Sequence, residues 1–217
     1  MFLKYAGFAG IIGSILSIVS VLMATILCGA GCGDVVDSQF VASWGPDGSF
    51  SWEINALSDL GVSKVANFFN YPLILAGILN FVFGVGFMKA YARTKISRVP
   101  IILWIIGGVS LSMVGIFTET YGVLHTIVSA GFFILMPVSM ILIGITFLIS
   151  RRNTKGYLSI LAGVIALTTI SSYITGLYNT SGVGFSVPEF ITAIILSSWI
   201  IWMGISLLDF KSQQRKL

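Results

Sequence analysis

Six apolar stretches, each of about 20 residues or more, leave this chain few ways to fold. They run approximately over 5–28, 70–90, 99–118, 124–150, 156–176 and 189–209. About 20 mostly apolar residues carry an α-helix across the hydrocarbon of a bilayer. The stretches are continuously apolar, whereas strands of a membrane barrel alternate over about 10 residues. A helix also satisfies its own backbone amides where no water is at hand. The expected fold class is therefore all-α: a polytopic transmembrane bundle of six helices in a single domain over 1–217. Composition agrees, at 56% hydrophobic and 9% charged. A soluble domain carries about 25% charged residues. The first stretch is longer than the apolar core of a secretory signal, about 7–15 residues, so it reads as a span.

Charge placement gives the chain a direction. Lys4, Lys89, Arg93, Lys95, Arg98, Arg151, Arg152, Lys155, Lys211, Arg215 and Lys216 all fall on one side of a six-span thread, which is 11 of the 12 basic residues; Lys64 is the exception. Asp34, Asp37, Asp47, Glu53, Asp59, Glu119 and Glu189, seven of the eight acids, fall on the other. Short basic loops stay in the cytoplasm. The expectation is a cell-membrane protein with both termini cytoplasmic. The net charge of +4 is a topology signal. It forms no aromatic-interleaved basic stripe of the kind nucleic acid needs, so no nucleic-acid partner is expected.

The loop over 29–69 is the one sizeable extramembrane element. Gly45-Pro46-Asp47-Gly48 is a turn signal, because Pro presets φ and Gly accepts positive φ. Aromatic and β-branched residues flank it over 40–44 and 49–54. This pattern predicts a small β-hairpin, with Trp44 and Trp52 at the membrane interface and a short interfacial helix within 53–69. Cys28 and Cys32, near the outer end of the first span, form a disulfide candidate on an oxidising face.

Inside the bilayer, helices associate through small residues that let backbones approach. Ala6, Gly10 and Ser14 share a face of the first span, Gly77 and Gly84 one of the second, and Gly108 and Ser112 one of the third. Asn80, mid-span, needs a hydrogen-bond partner. No Asp, Glu, Lys or Arg lies near the middle of a span, which argues against proton pumps and most ion-coupled transporters.

Chemistry concentrates at the outer rim. Three outward hairpins bring Asn55 and Asp59, then Glu119, then Glu189 to similar depth, and His125, the single histidine, opens the fourth span. Each also has a structural role open to it. Glu189 follows Pro188 as an ordinary first-turn acid, and Asp59 is placed to cap a helix. Glu119 sits at a helix C-terminus, where the dipole disfavours an anion, so it needs a partner. His125 is the near one, across a short turn. Two cysteines and one histidine make no ordinary closed zinc site. No metal, cofactor or catalytic residue is expected.

The motifs Asn55-Ala56-Leu57-Ser58-Asp59-Leu60-Gly61, the segment 70–77, and Val114-Gly115-Ile116-Phe117 followed by Gly122 and His125 resemble a prokaryotic six-span family, domain of unknown function 998. In that pattern a Pro commonly follows the Phe; Thr118 and Glu119 stand there in this chain. The resemblance implies six spans and an outer polar motif, and no activity.

The functional expectation is a multi-pass membrane protein that binds a lipid headgroup or a small polar or ionic ligand at Asn55, Asp59, Glu119, His125 and Glu189. Two alternatives stand beside it. One is a structural or accessory subunit packed on a partner membrane protein or on further copies of the chain. The other is an outer-leaflet lipid hydrolase using His125 or Glu119 as general base.

Overall fold

The computed structural model describes residues 1–33, 44–45, 47–92, 94–175 and 184–210. Six long helices follow one another: α1 (Phe2–Leu27), α2 (Ala66–Tyr91), α3 (Lys95–Ile116), α4 (Val123–Ile149), α5 (Asn153–Ile174) and α6 (Ser186–Leu208). Each has the length and apolarity to cross a membrane. Their outward sides are apolar and open, with Ile12, Ile106, Ile127, Leu161 and Ile194 all exposed. A soluble surface so apolar would aggregate; against acyl chains it is at home. The chain is an integral membrane protein.

Each helix packs on its neighbours in sequence, and α1 closes the ring against α6. Small residues make these contacts close. Gly7 of α1 and Gly204 of α6 face each other's carbonyl oxygens, and Gly144 of α4 abuts the backbone of Gly156 in α5. Between α2 and α3, Gly77 lies against Ser112 and the carbonyl of Gly108, and the Ser112 hydroxyl donates to Ile74 O at 2.9 Å. Aromatic rings fill the middle of the ring. Trp104 and Trp199 stack with centroids 4.7 Å apart, and Phe83 and Phe87 pack beside them. The Trp199 indole donates to Ser159 Oγ at 2.8 Å.

The helix ends sort the charges. Lys4, Lys89, Lys95, Arg98, Arg151, Arg152 and Lys155 lie at the basic face, and Glu53, Asp59, Glu119 and Glu189 at the acidic face. Arg93 and the three cations beyond Phe210 lie outside the described residues.

The expected β-hairpin does not form: among the described residues there is no strand. The turn itself is present, with Gly48 N donating to Gly45 O and Gly45 N to Ser49 O. The arm over 49–54 has another partner. Phe50 N donates to Cys28 O, while Gly31 N and Gly33 N donate to Asp47 O and Gly48 O. The loop that follows α1 thus takes the hydrogen bonds a second strand would have used. That loop is held by a Cys28–Cys32 disulfide with Cα atoms 5.2 Å apart, and both cysteines are buried. Most of the other arm, 40–43, lies outside the described residues. The short helix expected within 53–69 is a tight 3-10 turn (Leu57–Val62), which caps the acidic end of the ring and buries Leu57 and Leu60. Trp52 packs on Phe50 and on Phe190 of α6.

Candidate functional site

The 3-10 turn is where the acids gather. Asp59, in its first turn, reaches back to accept from Ala56 N at 3.1 Å and from the Asn55 side-chain amide at 2.6 Å. Asn55 is itself buried, and its Oδ1 accepts from Ser51 N. Ser58 points the other way and donates to Glu119 Oε1 at 2.6 Å, across 61 residues. Glu119 opens a second, shorter 3-10 turn (Glu119–Tyr121) between α3 and α4. Glu189, in the first turn of α6, is 4% exposed and accepts from Leu57 N at 2.6 Å. Ser186, one turn earlier, closes the joint with Ser186 N donating to Asn55 O and its hydroxyl to Trp52 O. Three acids from three hairpins therefore hold one 3-10 turn.

Burial, and then the Glu119 charge, push the Asp59 carboxyl up to about 7, against the pull of Asn55 and the Ala56 amide. An unfolded aspartate titrates near 4, so the folded chain holds this proton more tightly. The Asp59 contribution to stability is then complete below about pH 4 and is lost as pH rises through about 7. We expect Asp59→Asn to flatten that slope. Unfolding midpoints in mild detergent at pH 5 and pH 8 check it; equal slopes in the variant and the parent would contradict the raised Asp59 carboxyl.

The anticipated Glu119–His125 bond is replaced. Glu119 takes the Ser58 hydroxyl, and His125 Nδ1 pairs with Phe117 O at 2.7 Å. The reason is local. Phe117 is the C-cap of α3, where carbonyls lack helical donors, and the turn brings His125 over it. The other ring nitrogen, Nε2, faces Ser129 Oγ at 3.3 Å. Ser129 was not among the residues singled out from the sequence. Its only signal is the four-residue spacing from His125, which places both on one face of α4.

Glu119, His125, Ser58, Ser129 and Glu189 line one cavity of about 360 Å³, with Phe133, Ile134 and Ile170 among its walls. Among the described residues, no Lys or Arg lines it. A smaller cavity of about 60 Å³ lies against it inside the ring and shares Ser58, Ser129, Phe133 and Glu189 as lining. Asn80 reaches that inner cavity with its Oδ1 buried and without a hydrogen-bond partner. The partner expected for it is not formed, because the α2–α3 contact at this level is made by Gly108 packing on the Asn80 stem. Among the described residues, no group of three or more His, Cys, Asp or Glu is placed to hold a metal ion. Tyr178 and Asn179, at similar depth in the sequence, lie outside the described residues.

No curated protein and no solved structure matches the chain. One family model does: that described as protein of unknown function (DUF998) matches residues 35–206, a stretch that holds Asn55, Asp59, Glu119, His125 and Glu189. Six membrane-spanning helices, the polar motif between the first two of them and this match over most of the length lead to one assignment: the chain belongs to the DUF998 family.

Proposed function

We propose that the acidic face lies outside the cell, with both termini in the cytoplasm, and that its cavity binds the polar head of an amphiphile drawn from the outer leaflet. The observation that carries this reading is the lining of the cavity. Carboxyl groups from two separate hairpins and one imidazole converge on a space whose remaining described walls are mostly apolar, with no Lys or Arg among them. Such a site suits a hydrogen-bond-donating or cationic head with an apolar body, and repels a bare phosphate. Glu119 is the acceptor nearest solvent; Asp59 and Glu189 are committed to the 3-10 turn and position it.

The test is binding of dodecylamine, dodecanol and dodecyl phosphate to the purified protein in nanodiscs. Dodecylamine should bind most tightly and dodecyl phosphate least. Glu119→Gln should weaken the amine about tenfold, the effect of losing one charge-assisted hydrogen bond. Equal affinity for the three heads, or an unchanged Glu119→Gln, would overturn the reading.

The Ser129–His125 contact favours a second reading, an outer-leaflet ester hydrolase. In it Ser129 is the nucleophile, His125 Nε2 takes its proton, and Phe117 O holds the Nδ1–H tautomer. The same preparation decides between the two. Turnover of a long-chain ester that is lost in Ser129→Ala would select the hydrolase; bound amphiphile with no turnover selects the binding protein.

A further inference from the structure

At the opposite, basic face a second site stands apart from the acid cluster. We infer that the pocket between the α2–α3 and α4–α5 turns binds the phosphate of an anionic phospholipid headgroup. The pocket has a volume of about 310 Å³ and is lined by Tyr91, Thr94, Ser97, Thr146, Ser150 and Arg152 among others, with no Asp or Glu among the described lining residues. Its centre is Tyr91, at the end of α2. The Arg152 guanidinium lies over the ring at 5.1 Å, Lys155 Nζ lies at 5.3 Å, and the same Nζ donates to the Tyr91 hydroxyl at 3.1 Å. Arg152 lines the pocket, and Lys155 lies beside it at the Tyr91 hydroxyl. Each is attracted by the ring, but like charges repel, and an anion bound at Arg152 offsets that repulsion.

The surroundings keep this arrangement stiff. Phe87, Phe147 and Phe210 pack around Tyr91 with centroids 4.7, 5.3 and 5.4 Å away. Arg152 is held close by its backbone, with Arg152 N donating to Phe147 O. The preceding residue, Arg151, sits at φ 57, a left-handed position at a helix end where glycine is the usual choice. The first turn of α3 adds the positive end of a helix dipole; Thr94 and Ser97 cap it reciprocally at the pocket wall, their hydroxyls bonded to each other and to Thr94 O. Asp209, the acid on this face among the described residues, sits at the C-cap of α6 and does not line the pocket. A lining guanidinium, an ammonium beside it and a helix N-terminus at the membrane surface match a phosphodiester.

The experiment uses the full chain in mild detergent, titrated with short-chain phosphatidylglycerol or with phosphatidylcholine, and follows the unfolding midpoint and lipid retention by native mass spectrometry. Phosphatidylglycerol should raise the midpoint and phosphatidylcholine should not. Arg152→Gln and Lys155→Gln should each weaken binding about fivefold, and the pair roughly thirtyfold. Arg152→Lys, which keeps the charge and the fold, should retain most of the binding. Lys89→Gln, which removes a cation that lies over Phe2 on the same face, should leave it unchanged. Equal effects of the two lipids, a loss in Lys89→Gln as large as in Arg152→Gln, or full displacement by millimolar inorganic phosphate would overturn the proposal.

Discussion

Gly77→Leu should cost about 3 kcal/mol or more of stability and loosen the ring between α2 and α3. A Cβ at Gly77 would fall on Ser112 and within 2.8 Å of Gly108 O. Much of what it meets is backbone, which cannot rotate away as a long side chain can. The two helices would have to part, and Ser112 would lose its bond to Ile74 O. Close backbone approach is what drives helices together in lipid, where burying apolar surface gains nothing. A matched substitution sets the scale. At Gly29 a Cβ would meet nothing within 4 Å, so Gly29→Leu should move the midpoint little. Unfolding in a detergent titration reads both, and similar midpoints for the two variants would show that the α2–α3 contact is not close-packed.

Glu189→Ala comes next in size. Leu57 is buried, and the amide it donates to Glu189 has its partner 132 residues away. Removing the carboxyl strands that amide in an apolar setting, at a cost of about 1–3 kcal/mol. It also frees the 3-10 turn from α6, so 44–62 should become the first site of proteolysis. Glu189→Gln keeps an acceptor oxygen and should behave close to the parent. The contrast separates a hydrogen-bond role from a charge role. If Ala and Gln were equally stable, the Leu57 amide would be satisfied by something other than residue 189.

These two residues also mark how far the sequence can be read. Gly77 was legible, because small residues at helical spacing within an apolar run have little to do but pack. The six spans were legible for the same reason: hydrocarbon imposes one requirement, and about 20 apolar residues meet it. Glu189 was legible only as a residue near the right depth. Its partner is a backbone amide in a distant loop, and no local pattern encodes a pair 132 residues apart. The hairpin went astray for a related reason. The residues over 49–54 suit a strand, but the disulfide loop after α1 offered them a nearer set of hydrogen-bond partners. His125 was placed at the right rim and given the wrong partner, since the bare carbonyl at the end of α3 competes with a carboxylate that Ser58 already holds. At the basic face, Arg152 and Lys155 were read only as topology signals. Their shared tyrosine comes from α2, and nothing in the sequence joins it to them.

The account rests on a thread of six crossings with the acid cluster and the basic pocket on opposite sides. Membrane-impermeant maleimide applied to intact cells tests this directly, using single Glu53→Cys and Arg151→Cys variants, because both positions are exposed and the native cysteines are paired. Glu53→Cys should label at once, and Arg151→Cys only after the membrane is permeabilised. Labelling of Arg151→Cys from outside, or protection of Glu53→Cys, would contradict the topology and remove the outer-leaflet site with it.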